Sequence, residues 1–169
     1  TRVIWNTQDI IYKNKGIAVS SKPGHSFIKQ IMREHKAIYG GEISAHHYFR
    51  DFAYCDSGMI PWILIADLLS KTGRSLSDSI NERSKSFPSS GEKNFYVKDA
   101  DFAITSVLSE YRTKAKSIDE TDGISLSFED WRFNLRKSNN EPLVRLNIET
   151  KGDKTNIHEK IDTIKSLLI

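Results

Sequence analysis

The chain has 169 residues, a formal net charge of +3 and one cysteine, Cys55. This length is enough for one ordinary domain or two small ones, and a lone cysteine excludes an internal disulfide. No apolar run is long enough to span a bilayer, and no run of like charges indicates a polyanion-binding tail. We therefore expect a cytoplasmic protein with no membrane partner.

The first half of the chain alternates short apolar runs with helical stretches. Strands are predicted at residues 3–5, 17–19 and 37–39, and a helix is predicted after each of the first two. A further helix at about residues 59–69 is apolar nearly all round, so we expect it to be deeply buried. A fourth helix is predicted at residues 76–83. This order indicates parallel strands covered by helices.

The pattern changes after the loop-forming residues 87–91. A strand is predicted at residues 94–97, and the apolar residues between Ala100 and Tyr111 then recur at helical spacing. Three strands with period-two alternation follow, and an amphipathic helix closes the chain. The predicted fold class is therefore α/β followed by α+β, the second part with an antiparallel sheet and two helices.

A polar loop between two predicted strands is the first candidate site. Residues 131–135 and 144–149 alternate polar and apolar side chains on either side of it. The polar residues of the loop and the next strand are Arg136, Lys137, Ser138, Asn139, Asn140 and Arg145. Two guanidinium groups with small donors suit a phosphate dianion. The same residue types also form ordinary solvated turns, so spacing alone favours neither interpretation.

A second candidate segment follows the glycine pair Gly40–Gly41. If residues 42–46 are extended, the side chains of Glu42, Ser44 and His46 share one face of the strand. A carboxylate, a hydroxyl and an imidazole in a row are suited to recognising adjacent sugar hydroxyls. The plainer interpretation is a polar loop with a buried, satisfied histidine, and the three aligned polar groups favour the sugar site over it.

Five segments, in this order, resemble motifs of the α-D-phosphohexomutase family. They are Lys22–Lys29 (KPGHSFIK), Gly41–His46 (GEISAH), Asp56–Met59 (DSGM), Thr121–Ile124 (TDGI) and Arg136–Pro142 (RKSNNEP). Two positions depart from the family pattern. Ala45 stands where the sugar motif has glycine, and alanine tolerates positive φ poorly. Asn140 stands where the phosphate loop has threonine, and its amide still donates hydrogen bonds.

The resemblance implies a role for each candidate residue. The nonreacting phosphate would be bound by Arg136, Ser138, Asn139, Asn140 and Arg145. The sugar hydroxyls would be bound by Glu42 and Ser44. His25 and His46 would lie near the transfer site, where either could orient the substrate or move a proton. We favour orientation, because the sequence indicates no imidazole–carboxylate pair. Lys22 would either face the phosphoryl group or only cap its strand.

The resemblance also implies a reaction and an organisation of domains. A phosphoserine would give its phosphoryl group to mannose 1- or 6-phosphate, and the bisphosphate would return the other one. Neither the family's serine loop nor its Mg²⁺ loop occurs in this sequence, so we expect no metal ligand and no turnover here. Residues 1–87 would end the third, Rossmann-like parallel-sheet domain, and residues 92–169 would form the fourth, phosphate-binding domain. The missing N-terminal domains of the same polypeptide would hold the serine and Mg²⁺.

Other interpretations remain beside this one. A glucose or glucosamine phosphate mutase of the same family would keep the phosphate loop, although residues 43–47 are more similar to the mannose-specific members. A noncatalytic module could bind sugar phosphates. A basic domain could bind nucleic acid in a salt-sensitive way. The aromatic residues are scattered rather than aligned along a basic stripe, so we expect hexose phosphates as partners and no nucleic acid.

Overall fold

The computed structural model describes residues 2–138, 140–152 and 155–168. The helices are α1 (Trp5–Lys13), α2 (His25–Glu34), α3 (Met59–Thr72), α4 (Leu76–Ser86), α5 (Ala100–Tyr111) and α6 (Ile157–Ser166). The strands are β1 (Tyr39–Gly41), β2 (His47–Phe49), β3 (Cys55–Asp56), β4 (Lys93–Tyr96), β5 (Ser117–Asp119), β6 (Ile124–Ser127), β7 (Trp131–Lys137) and β8 (Leu143–Thr150).

The chain divides into two compact units. The central unit consists of residues 19–82, and the sheet unit consists of residues 1–18 together with residues 83–169. The domain limits expected from the sequence, 1–87 and 92–169, stay a prediction.

The sheet unit is built on five strands in the order β4-β8-β7-β6-β5, with every neighbouring pair antiparallel. Helices α5 and α6 begin at capping side chains: Asp99 accepts from the backbone N–H groups of Asp101 and Phe102, and Asn156 caps α6 in the same way. The predicted antiparallel sheet with two helices is confirmed. Strand β5 was not predicted, because residues 117–119 contain a single apolar residue, Ile118, and show no alternation.

One face of this sheet carries the apolar core. Both helices pack on this face, since their buried residues belong to the same cluster as those of the strands. The fully covered members include Val107 of α5, Ile164 of α6, and Leu126, Phe133 and Leu146 of the sheet. Each such side chain contributes roughly 1.5–3 kcal/mol on burial. The apolar positions of the alternation in β6, β7 and β8 are therefore the ones that form this core.

The opposite face of the sheet is polar and also buried. Arg132, Asn134 and Glu149 are at most 1% exposed, although alternation alone assigns these positions to a solvated face. Residues 2–5 cover this face: the backbone N–H groups of Ile4 and Trp5 donate to the Glu149 carboxylate at 2.7 and 3.0 Å. Arg132 Nη1 donates to Glu149 Oε1 at 2.7 Å and to the carbonyl of Arg2 at 2.9 Å.

The central unit contains the antiparallel meander β1-β2-β3, and Ile28 and Met32 of α2 pack against Tyr48 of β2. Gly40 of β1 allows this close approach. A Cβ atom on Gly40 would lie 2.7 Å from Met32 Sδ and 3.0 Å from a methyl carbon of Ile28. The glycine pair therefore positions the segment that follows it.

The parallel strands predicted in the first half are not formed by the described residues. Residues 3–5 are not a strand, because the N–H groups of Ile4 and Trp5 bond to the Glu149 carboxylate and not to a neighbouring strand. Residues 17–19 also lie outside the described strands, and Ile17 is 88% exposed. The strand predicted at residues 37–39 begins at Tyr39 and pairs antiparallel.

The expectation that residues 59–69 are deeply buried is wrong for this structure. Trp62 and Leu68 of α3 are 65% and 56% exposed. An apolar composition favours burial only where other elements cover the helix, and the core of the central unit is formed by α2 and β2 instead. Asp67 pairs with Lys71 at 2.7 Å.

None of the described helices combines the length and apolar character required to cross a bilayer.

Candidate functional site

The loop between β1 and β2, residues 42–46, is a closed turn. The backbone N–H of Glu42 donates to the carbonyl of His46 at 2.9 Å, and the N–H of Ala45 donates to the carbonyl of Glu42 at 3.0 Å. Ala45 has φ +65°, the left-handed region that favours glycine. The extended conformation, which was the condition for a shared face in this segment, is therefore not adopted, because the hairpin needs a turn to reverse the chain.

The turn nevertheless brings the predicted side chains together at an open pocket of about 440 Å³. The pocket is lined by Gly24, His25, Lys29, Glu42, Ser44, His46, Tyr48 and Asp56. Of the residues predicted in this part of the chain, Lys22 is not among those that line the pocket. Lys29, one turn into α2, lies there instead, which the sequence did not indicate.

The Glu42 carboxylate is held in place by two donors. The backbone N–H of Gly24 donates to Oε2 at 3.1 Å, and the buried Tyr48 hydroxyl donates to Oε1 at 2.7 Å. Burial, followed by the hydrogen bond to Glu42, raises the pKa of the Tyr48 phenol, so it stays a donor at neutral pH. Each carboxylate oxygen has about two acceptor positions, so both retain capacity for a ligand hydroxyl.

His46 forms a pair with Asp56 that the sequence did not indicate. His46 Nδ1 lies 2.7 Å from Asp56 Oδ2, and Asp56 Oδ1 accepts from the backbone N–H of His47 at 2.8 Å. The two residues are ten positions apart, and the pairing of Tyr48 with Asp56 across β2 and β3 brings them together. The bond to Asp56 is the main reason why the pKa of His46 is raised and that of Asp56 is lowered.

This pair predicts a measurable change in titration. The charged pair exists between the lowered pKa of Asp56 and the raised pKa of His46, and its contribution is lost as pH rises through the His46 pKa or falls through the Asp56 pKa. Replacing Asp56 by Asn should lower the His46 pKa, as measured by NMR titration of its ring protons. Asp51→Asn, which removes an exposed carboxylate paired with Arg50, is the control and should leave the His46 pKa unchanged. An unchanged pKa in Asp56→Asn would contradict the pair.

A second candidate site lies in the sheet unit, where β7 and β8 approach their connecting loop. Arg136 and Arg145 stand directly opposite each other in the register of the two strands. Like charges in this position repel each other. The Glu92 carboxylate lies between them, 3.3 Å from Arg136 Nη2 and 3.1 Å from Arg145 Nη1. Arg2 Nη1 is also 3.3 Å from Glu92. We call these four residues the arginine cluster.

The polar residues of the loop differ in how close they lie to the arginine cluster. Ser138 Oγ accepts from Arg145 Nη2 at 3.4 Å, and the backbone N–H of Asn140 is 3.5 Å from the same oxygen. Glu141 lies 3.6 Å from Arg145. Lys137 turns away and bonds to Asp101 at 2.9 Å. Asn139, which was predicted to bind phosphate, lies outside the described residues.

The arginine cluster has donor capacity left for an anion. The Nε atoms of Arg136 and Arg145 are buried and have no hydrogen-bond partner among the described residues. Burial and then the charge of Arg136 lower the pKa of Arg2, which indicates a crowded, partly desolvated group of cations. Sequence reasoning missed Glu92 and Arg2, because neither belongs to a local motif. Arg2 is held near the strands by its carbonyl contact with Arg132.

The described residues do not fit a magnesium site. Within residues 2–138, 140–152 and 155–168, no group of three or more His, Cys, Asp or Glu side chains is arranged to hold a metal ion. No chemical step is therefore assigned to Mg²⁺ here.

Comparison with known proteins identifies the family. Residues 2–87 match phosphoglucomutase/phosphomannomutase, alpha/beta/alpha domain III, and residues 92–164 match the C-terminal domain of the same family. The chain is 53% identical over 167 residues to proteins named phosphohexose mutases in Xanthomonas campestris and phosphomannomutase in Escherichia coli. It is 54% identical over 152 residues, 90% of this chain and 33% of the relative, to a Salmonella montevideo phosphomannomutase.

The chain belongs to the phosphoglucomutase/phosphomannomutase family. It is covered to 99% in the Xanthomonas and Escherichia matches and spans about 37% of the length of those relatives. A crystal structure of a Burkholderia thailandensis protein of the same family has a similar fold, with a TM-score of 0.74 at 23% identity over 96% of this chain and 35% of that one. This likeness confirms the fold class predicted from the sequence, although the described residues do not themselves form the parallel strands.

Proposed function

We propose that this chain provides the sugar and phosphate recognition of a phosphomannomutase, which interconverts mannose 6-phosphate and mannose 1-phosphate through a phosphoserine and a bisphosphate. The observation that carries the proposal is the arginine cluster, in which three guanidinium groups share one carboxylate. Relatives that span this chain are named phosphomannomutase, which supports mannose as the sugar. The name phosphohexose mutases, borne by other relatives, supports a broader range of hexoses as the second candidate.

In this proposal the arginine cluster binds the phosphate that does not react. Arg136 and Arg145 offer planar forks that match two phosphate oxygens, and lysine cannot reproduce that geometry. Ser138 adds a hydroxyl already in contact with Arg145. Such positioning is what phosphoryl transfer requires of the protein, because most of its catalysis is orientation and charge stabilisation.

The pocket of the central unit binds and orients the sugar in the same proposal. Glu42 accepts from sugar hydroxyls with the lone pairs that Gly24 and Tyr48 leave unused. Asp56 accepts from Nδ1–H of His46. Nε2 then accepts from a sugar hydroxyl when the imidazole is neutral, and it donates to a sugar hydroxyl or a phosphoryl oxygen when the imidazole is protonated. His25, Lys29 and Ser44 line the same pocket and supply further donors. The phosphoserine and any Mg²⁺ would belong to other residues of a longer polypeptide.

The proposal predicts that Arg136→Lys weakens binding of both mannose 1-phosphate and mannose 6-phosphate by about tenfold or more. Loss of a bidentate contact to an anion costs on the order of 1.5–3 kcal/mol. Isothermal titration calorimetry on the wild-type and variant chains measures the effect. The matched control is Arg112→Lys, the same exchange at an exposed position next to the end of α5, which should bind like wild type.

Two outcomes of this titration would overturn the proposal. Equal affinities of wild type and Arg136→Lys would make the arginine cluster a structural ion-pair group. Equal affinity for mannose and for its phosphates would show that the phosphate is not recognised. Stronger binding of glucose phosphates than of mannose phosphates would transfer the proposal to the second candidate.

A further inference from the structure

The arginine cluster, which is proposed to bind a phosphate, already contains a negative charge, the carboxylate of Glu92. Its Oε2 is 3.3 Å from both Arg2 and Arg136, and its Oε1 is 3.1 Å from Arg145. The Glu92 side chain is 27% exposed and that of Arg136 is 12% exposed, so the contacts are only partly screened by water. The carboxylate therefore occupies donors that a phosphate would also use.

We propose that Glu92 is a resident counter-ion of the phosphate site, which keeps the three arginines assembled without ligand and weakens phosphate binding so that the phosphate can be released. This inference rests on the proposed function, in which the two phosphates of a bisphosphate must exchange places at this site.

The charges of the arginine cluster support this role. Within the arginine cluster, one carboxylate and one phosphate dianion together balance the three guanidinium charges, and Glu141 adds a further negative charge 3.6 Å from Arg145. Without Glu92, the opposed Arg136 and Arg145 would repel each other when the site is empty. The phosphate would then meet an uncompensated group of cations and be held more tightly.

The unused donors show that Glu92 and a phosphate need not exclude each other completely. Only one nitrogen of Arg136 and one of Arg145 contacts Glu92 in the described structure. The other guanidinium nitrogens of the two arginines do not contact Glu92. A phosphate can therefore bind those of their N–H groups that it reaches while it competes with Glu92 for the shared ones.

The test is calorimetric titration of the full chain with inorganic phosphate at low ionic strength. Glu92→Gln keeps the size and one acceptor oxygen but removes the charge, and it should tighten phosphate binding by about fivefold or more. Glu92→Asp keeps the charge and should not tighten binding. Asp101→Asn is the matched charge control: it removes an exposed carboxylate from Lys137, next to Arg136, and should change the affinity by about twofold or less.

The outcomes separate this inference from the proposed function. One outcome is that Arg136→Lys weakens phosphate binding while Glu92→Gln binds phosphate no more tightly than wild type does. In that case the proposed function stands and Glu92 only holds the arginines in place. If neither wild type nor Glu92→Gln binds phosphate, both fail. Thermal unfolding of each variant shows whether it is folded. Should Glu92→Gln fail to fold, an affinity of Glu92→Asp above that of wild type would overturn the inference, and an equal or lower one would support it.

Discussion

Replacing Glu149 by Ala should destabilise the sheet unit by about 3–5 kcal/mol, the range for breaking a buried ion pair by removing one partner. The substitution leaves the charge of Arg132 in a site where both side chains are 1% exposed. It also removes the acceptor of the N–H groups of Ile4 and Trp5. Urea unfolding followed by circular dichroism measures the change in the free energy of unfolding.

The control for this experiment is Glu129→Ala. Glu129 pairs with Lys116 in a surface contact whose side chains are 74% and 62% exposed. Exposed ion pairs contribute about 0–1 kcal/mol, so this variant should unfold close to wild type. A loss below about 1 kcal/mol in Glu149→Ala would show that residues 2–5 are not held through this carboxylate.

Replacing Gly123 by Ala should cost the sheet unit roughly 2–5 kcal/mol. Gly123 has φ +67°, which is unfavourable for alanine by about 1–2 kcal/mol. A Cβ atom there would also lie 2.5 Å from the carbonyl oxygen of Leu135 and 2.5 Å from Arg136 Cβ. Because backbone atoms of β7 cannot move aside freely, overpacking adds roughly 1–3 kcal/mol. The midpoint of urea unfolding reports this loss.

Gly152→Ala separates the two causes. Gly152 has φ +65°, but among the described residues, apart from its chain neighbours, no atom lies within 4 Å of the Cβ position. The Gly152→Ala variant should therefore lose only the part of the free energy of unfolding that comes from backbone conformation, about 1–2 kcal/mol. Equal losses at Gly123 and Gly152 would show that contact with Arg136 and Leu135 is not the reason for glycine at position 123.

Local periodicity was sufficient to predict much of the sheet unit. The alternation in residues 131–135 and 144–149 predicted β7 and β8, and the spacing from Ala100 to Tyr111 predicted α5. It could not show that the second face of the sheet is also buried, because that depends on residues 2–5, which are more than a hundred positions away. For the same reason, the apolar run of α3 predicted burial without showing what would cover it.

The candidate sites were predictable only in part. Motif resemblance pointed to Glu42, Ser44 and His46, and the structure places all three at one pocket. The pair of His46 with Asp56 depends on the pairing of β2 with β3, and the role of Glu92 depends on the pairing of β4 with β8. Both are tertiary facts that no local spacing encodes. Ala45 at φ +65° shows that the turn is kept even where glycine is replaced.

Phosphate recognition by the arginine cluster is tested most directly by an NMR titration that follows the guanidinium Nε–H groups of Arg136 and Arg145. These N–H groups have no partner among the described residues and belong to the guanidinium groups proposed to bind the phosphate, so a bound phosphate should shift their resonances. We expect saturable shifts of both signals on addition of mannose 6-phosphate and none on addition of mannose. Unmoved signals at saturating mannose 6-phosphate, or equal shifts with mannose, would contradict the assignment of the arginine cluster to phosphate recognition.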